Sequence, residues 1–103
     1  MDINELTQAM HAFVRSQGWY EHESTRPQTL RNLAISLSLE ANEVLENFQW
    51  NDHLEDTQAL SEELADVGLY LLQMASLAGI NLEQAIMDKL QKNYQRKWDE
   101  AEG

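Results

Sequence analysis

Residues 56–78 carry apolar side chains on almost every face of a helix, and this constrains the fold more than any other feature of the chain. Leu60, Leu64, Val67, Leu71 and Met74 recur at helical spacing and make one stripe. Leu69, Leu72 and Leu77 populate the other sides. A helix apolar nearly all round is normally covered on several faces. A chain of 103 residues has few other helices with which to cover it. The segment is therefore expected to be buried on several sides and also to meet another subunit.

Three further segments repeat at helical spacing, with Gly18, Pro27 and Gly79 falling between them and Gly68 inside the apolar one. In residues 2–17, Ile3, Leu6, Met10, Phe13 and Val14 form the stripe, Asp2 suits the N-cap and Gly18 the end. The second helix is expected from Pro27 or Gln28 to Phe48, with Leu30, Leu33, Leu37, Val44 and Phe48 inward. Pro27 suits a first helical position because its missing N–H would have no intrahelical partner there. The fourth is expected over 82–98, capped by Asn81 with Gln84 completing a capping box. Gly79 closes the preceding helix, so the last two join through a tight turn. No segment alternates with period two between turn residues. The expectation is an all-α, four-helix bundle-like protomer, a single domain spanning 1–103.

Eighteen acidic residues stand against seven basic ones, a net charge of −11. Broad binding to nucleic acid needs a basic face, so that class is excluded. A small phosphate ligand is not, provided cations gather at one site. Lys89, Lys92, Arg96 and Lys97 do gather near the C-terminus. The absence of cysteine removes thiolate metal sites and cysteine nucleophiles. No basic start precedes an apolar run, and no apolar run reaches the ~18 residues that suggest a membrane span. No membrane partner is expected, and a cytoplasmic location follows by default.

Two acidic pairs carry the chemistry. Glu40-Ala41-Asn42-Glu43 lies in the second helix and Glu63-Leu64-Ala65-Asp66 in the third. Residues three apart lie about 60° apart around a helix, so each pair projects from one side. Glu40 follows Leu37 and precedes Val44; Glu63 follows Leu60 and precedes Val67. Both acids therefore sit at the margin of an apolar stripe rather than opposite it. Four converging carboxylates repel one another and raise one another's pKa values. A hard divalent cation resolves that conflict, and Mg²⁺ takes oxygen ligands while keeping waters and phosphate oxygens in its shell. A pair of solvated acidic faces is the plainer alternative. Glu46, Glu55, Asp56 and Glu62 have weaker claims and are read as solvated or supporting.

The basic run has two readings. Lys89, Asn93 and Arg96 are spaced to present one face to phosphates, whereas Lys92, Arg96 and Lys97 also suit a helix C-terminus, where the dipole favours cations. Trp50 follows the second helix and has the chemistry to stack on a base, although a tryptophan there is commonly core or interface. His11, His22 and His53 show no metal-binding spacing and are read as surface or packing residues.

The stretch LRNLAISLSLEANEVLENFQW and then EELADVGLYLLQMASLAGINLEQAIMDKLQKNYQRKW resembles the MazG-like nucleotide pyrophosphohydrolases of the all-α NTP pyrophosphatase superfamily, with the dCTP pyrophosphatases as close relatives. The resemblance covers residues 30–98, and its specificity comes from FQW after the first acidic pair, EELADV around the second and the K-x-x-K-N ending. It implies hydrolysis of a nucleoside triphosphate, a dNTP above all, to the monophosphate and pyrophosphate, with a house-cleaning role in the nucleotide pool. It implies that Glu40, Glu43, Glu63 and Asp66 bind Mg²⁺, with Mn²⁺ as a substitute, and form the catalytic site. It implies that Trp50 lines the base pocket, that Lys89, Lys92 and Asn93 approach phosphates or sugar with Arg96 a looser match, and that the protein is a homodimer or homotetramer. The segment 19–31 is longer than in close relatives and would approach the base pocket. A non-catalytic, antitoxin-like helical module and a phosphoribosyl-ATP pyrophosphohydrolase are the rival readings.

Overall fold

A computed structural model describes residues 1–96; Lys97 and Trp98, assigned above to the basic run and the fourth helix, lie outside the described residues. The described residues form four helices: α1 Ile3–Ser16, α2 Leu30–Glu46, α3 Thr57–Leu77 and α4 Leu82–Gln95. Helix α3 is central. It packs most extensively on α2, then on α1, and least on α4, which turns away from it by 102°.

The helix starts follow their caps. Asp2 accepts from the Glu5 N–H at 2.7 Å and the Glu5 carboxylate reaches back to the Asp2 N–H, a full capping box. Asp56 accepts from Ala59 N–H and Asn81 from Gln84 N–H, each at 3.0 Å. The box expected at Asn81 is only half formed, because the Gln84 side chain donates to Asp88 instead. The start of α2 differs from expectation by a few residues. Thr29 is the cap, accepting from Asn32 N–H at 3.1 Å, and Pro27 lies in the preceding loop, where its carbonyl accepts from the Asn32 side chain. A side-chain acceptor at Thr29 satisfies an otherwise orphaned helix N–H, whereas Pro27 only removes one.

Both helix ends with glycine close the same way. At Gly18 (φ +73°) the Trp19 N–H returns to Val14 carbonyl; at Gly79 (φ +72°) the Ile80 N–H returns to Ala75 carbonyl. These left-handed residues allow a reverse turn that satisfies the last helical carbonyls. The first sets Trp19 and Tyr20 back against α1; the second makes the tight α3–α4 turn.

The core is small. Met10 and Val14 of α1, Leu33 of α2, and Leu72 and Ala75 of α3 are the buried apolar side chains among the described residues. Leu64, Leu69, Leu71 and Leu77 of α3 stay more than two-fifths exposed, and α4 buries no residue.

Two polar side chains are buried with the core, His11 at 6% and Gln73 at 3% exposure. His11 was expected to be a surface or packing residue. It is a buried packing residue whose two ring nitrogens meet Tyr20 Oη at 2.6 Å and Ser76 Oγ at 2.7 Å. Burial, and secondarily the Arg15 charge, lower its pKa, so the fold holds it neutral. An unfolded histidine takes a proton near pH 6.5, but the folded one does not until lower pH. Below about pH 6.5 the unfolded chain thus binds a proton that the fold excludes, and stability falls as pH falls. Thermal melts from pH 7.5 to 5 are expected to show this decline, and His11→Gln to lose its share of the slope; an equal slope in the variant would assign the decline to other groups.

Candidate functional site

Packing of α2 on α3 brings the two acidic pairs together. Glu40 is half-buried, and its Oε2 is enclosed without a hydrogen-bond partner among the described residues. Its pKa is raised, first by burial, then by the charges of Glu43 and Asp66, by a hydrogen bond with the Glu43 side chain, and by Glu63. All four acids named from their spacing therefore belong to one electrostatic cluster. Glu63 is half-buried, and Asn47, the C-cap of α2, donates its side-chain N–H to Glu63 Oε2 while also donating to the Val44 carbonyl at 3.2 Å. Asn47 was not among the sequence-derived candidates; its link to Glu63 spans 16 residues and left no local signal.

Among the described residues, no three of these acids and histidines close around an ion on their own. An orphaned carboxylate oxygen amid like charges fits a hard cation better than it fits any protein partner present. Mg²⁺ does not need a complete protein cage, since it keeps water and phosphate oxygens in its shell.

Beside the cluster lies a cavity of about 650 Å³ between α1, the 17–29 loop, the start of α2, and α3. Its walls are mainly apolar, with Met10, Phe13, Val14, Leu33 and Leu69, and it also takes in Trp19, Tyr70 and Gln73. Trp19 is set edge-on to Phe13, ring centroids 5.6 Å apart, and carries the Arg26 guanidinium 5.3 Å over its face. Asp66 lines this cavity as well as contributing to the acidic cluster. Tyr70 and Gln73 follow Asp66 at four and seven residues, so α3 carries one continuous face from the acids into the cavity.

The other residues named from sequence lie elsewhere in the chain. Trp50 is 90% exposed and does not line the cavity; Trp19 does. Lys89, Lys92, Asn93 and Arg96 lie on or at the end of α4, and none lines the cavity. Lys92 stands in the last turn and Arg96 is the C-cap, as the dipole reading expects. Glu46, Glu55, Asp56 and Glu62 are exposed.

Residues 35–103 match the model of the MazG-like family. The chain belongs to the MazG-like family. This MazG-like chain is 33% identical over 97 residues to dCTP pyrophosphatase 1 of Mus musculus, and 31% identical over the same length to dCTP pyrophosphatase 1 of Homo sapiens. In each case 84% of this chain is covered and 54% of the relative, so the chain spans about half the length of the curated relatives it matches. The fold matches the crystal structure of a pyrophosphatase from Archaeoglobus fulgidus with a TM-score of 0.74 and 32% identity, covering 91% of this chain and 90% of that one. The all-α MazG-like fold expected from the resemblance is thus the fold found.

Proposed function

We propose that this chain hydrolyses nucleoside triphosphates, dNTPs above all, to the monophosphate and pyrophosphate, with Mg²⁺ held by Glu40, Glu43, Glu63 and Asp66. The observation that carries the reading is Asp66, which is shared by the acidic cluster and the cavity. A ligand seated against it would place an apolar, planar group in the cavity and an anionic group at the acids. A nucleotide has that division. Two relatives are named dCTP pyrophosphatase 1 and a third a pyrophosphatase, which supports the same reaction class.

In the reaction, water oxygen bonds to the α-phosphorus, the α–β anhydride bond breaks, and pyrophosphate leaves. Bound Mg²⁺ would supply charge neutralisation of the triphosphate and of the departing pyrophosphate. The protein's part is to hold the base in the cavity, orient the phosphate chain along α3, and take the water's proton on one of the four carboxylates. Trp19 offers an aromatic face for a base, in place of Trp50 of the same protomer. Lys89, Lys92, Asn93 and Arg96 would approach phosphates only from a neighbouring copy, which fits a homodimer or homotetramer.

Incubating the protein with each NTP and dNTP plus Mg²⁺ tests this, with monophosphate and pyrophosphate as the readout. Pyrophosphate release from at least one dNTP is expected. Orthophosphate instead, or no turnover together with no divalent-ion stabilisation, would favour the non-catalytic helical module. Asn47→Ala is expected to weaken Mg²⁺ activation by about 10- to 100-fold, since Asn47 orients a proposed ligand. High Mg²⁺ should restore much of the rate; unchanged half-saturation would remove Asn47 from the site.

A further inference from the structure

The acidic cluster and the apolar walls do not account for a chain of buried hydrogen bonds behind the cavity. Gln73 Nε2 donates to Tyr20 Oη at 3.2 Å and to Gln28 Oε1 at 2.8 Å. Tyr20 Oη also meets His11 Nδ1, and His11 Nε2 meets Ser76 Oγ. A neutral imidazole satisfies these contacts in either tautomer, and one arrangement runs in a single direction. Gln73 donates to the tyrosine oxygen, the tyrosine hydroxyl donates to His11 Nδ1, and His11 Nε2–H donates to Ser76. This needs a neutral imidazole, the form burial favours here.

The chain of bonds has a directional consequence. A primary amide has two N–H donors and one carbonyl acceptor. Both donors of Gln73 are committed to Tyr20 and Gln28, so its remaining capacity is acceptance at Oε1. Turning the amide end for end would bring its oxygen against Gln28 Oε1. Gln28, the partner that would be opposed, is itself oriented by donating to the Arg26 carbonyl at 2.7 Å. Gln73 is 3% exposed and lines the cavity with Gln28. It lies two helical turns beyond Asp66, about 10 Å along the axis. A nucleotide with its phosphates at the acids would present there the edge of the base furthest from the sugar.

We propose that Gln73 determines base specificity, its fixed carbonyl oxygen selecting a base with an exocyclic amino group on that far edge, cytosine or adenine, over one with a carbonyl oxygen there. Tyr20 and Gln28 are positioning residues that fix the direction of the amide. The inference rests on the nucleotide reading of the cavity. An amino group would donate to Oε1, whereas a carbonyl would set lone pair against lone pair in an apolar enclosure, where unpaired polar groups are costly.

The test compares dCMP and dUMP, which differ at that edge by an amino group against an oxygen, by equilibrium binding without metal, and dCTP, dATP, dTTP and dUTP by kcat/KM with Mg²⁺. The wild type should favour the amino base by about tenfold or more. In Gln73→Leu the ratio should collapse towards one, chiefly through loss on the amino-base side. Tyr20→Phe, which keeps the ring, and Gln28→Leu should each shrink the ratio in part. A wild type without amino-base preference overturns the proposal, as does a Gln73→Leu protein that weakens every base equally. If Gln73→Leu does not fold, unchanged ratios in both Tyr20→Phe and Gln28→Leu overturn it. Turnover of dNTPs without this preference would sink the specificity assignment alone; no nucleotide binding and no turnover would sink the function with it.

Discussion

Asp66→Asn is expected to lower Mg²⁺-dependent pyrophosphate release by at least about 100-fold. The substitution keeps size and shape but replaces a carboxylate of the proposed cation site by a neutral amide. Loss of outer residues that merely orient metal ligands costs about 10- to 100-fold, so loss of a ligand sets that range as a floor. Asp66 also faces the cavity, so the change falls where the two parts of the proposed site meet. Stability without metal should move the other way. Glu40 is resisted in ionising by burial and by the charges of Glu43, Asp66 and Glu63, so removing one charge relieves the others. Asp66→Asn and Glu40→Gln should therefore melt at or above the wild-type temperature without divalent ions, and gain less on adding Mg²⁺. Glu63→Gln should repeat the kinetic loss. Near-normal Mg²⁺-dependent turnover in both Asp66→Asn and Glu63→Gln would reject the site.

The acids that this prediction uses were legible in the sequence because their signal is local. Spacing of three residues puts a pair on one side of a helix, and neighbouring leucines and valines put that side at the packed margin. Asp2 and Asn81 were legible as helix starts for the same reason: a cap acts on an N–H three residues away. The cavity was not legible. Its walls come from α1, the start of α2, α3 and the 17–29 loop, and that loop has no periodicity to read. Tyr20, Gln28 and Gln73 acquire their roles through bonds spanning 45 and 53 residues, and His11 through one spanning 65. Without those contacts, Trp50 beside the first acidic pair was the natural aromatic candidate, while Trp19 is brought to the cavity by the turn at Gly18. Pro27 shows a local rule overridden by another local rule, the Thr29 cap two residues later.

Leu90→Glu is expected to dissociate the proposed homo-oligomer and lower its melting temperature by roughly 10 °C or more, taking several kcal/mol of lost burial at the usual conversion for a small domain. Helix α4 carries Ile86, Met87, Leu90 and Tyr94 on one side, 48%, 58%, 53% and 86% exposed in the protomer. A patch of that kind is uncommon on a stable monomer. The chain exposes 8160 Å², against roughly 6000 Å² for a compact monomer of 11.9 kDa. Counted on both sides of a contact, this per-chain excess falls within the roughly 2000–5000 Å² that obligate homodimers bury in total. The radius of gyration, 16.8 Å, likewise exceeds the ~13 Å of a compact 100-residue domain. With a net charge of −11 per chain, association needs an apolar contact large enough to outweigh repulsion between copies. A glutamate at Leu90 would put a repeated, desolvated charge into that contact, at a cost no apolar partner offsets. Sedimentation should give a dimer or tetramer for the wild type and a smaller species for Leu90→Glu, with turnover lost alongside if α4 of one copy serves the phosphates of another. A monomeric wild type at micromolar concentration, melting at the same temperature on dilution, would reject the oligomer and leave the α4 residues without a route to the site.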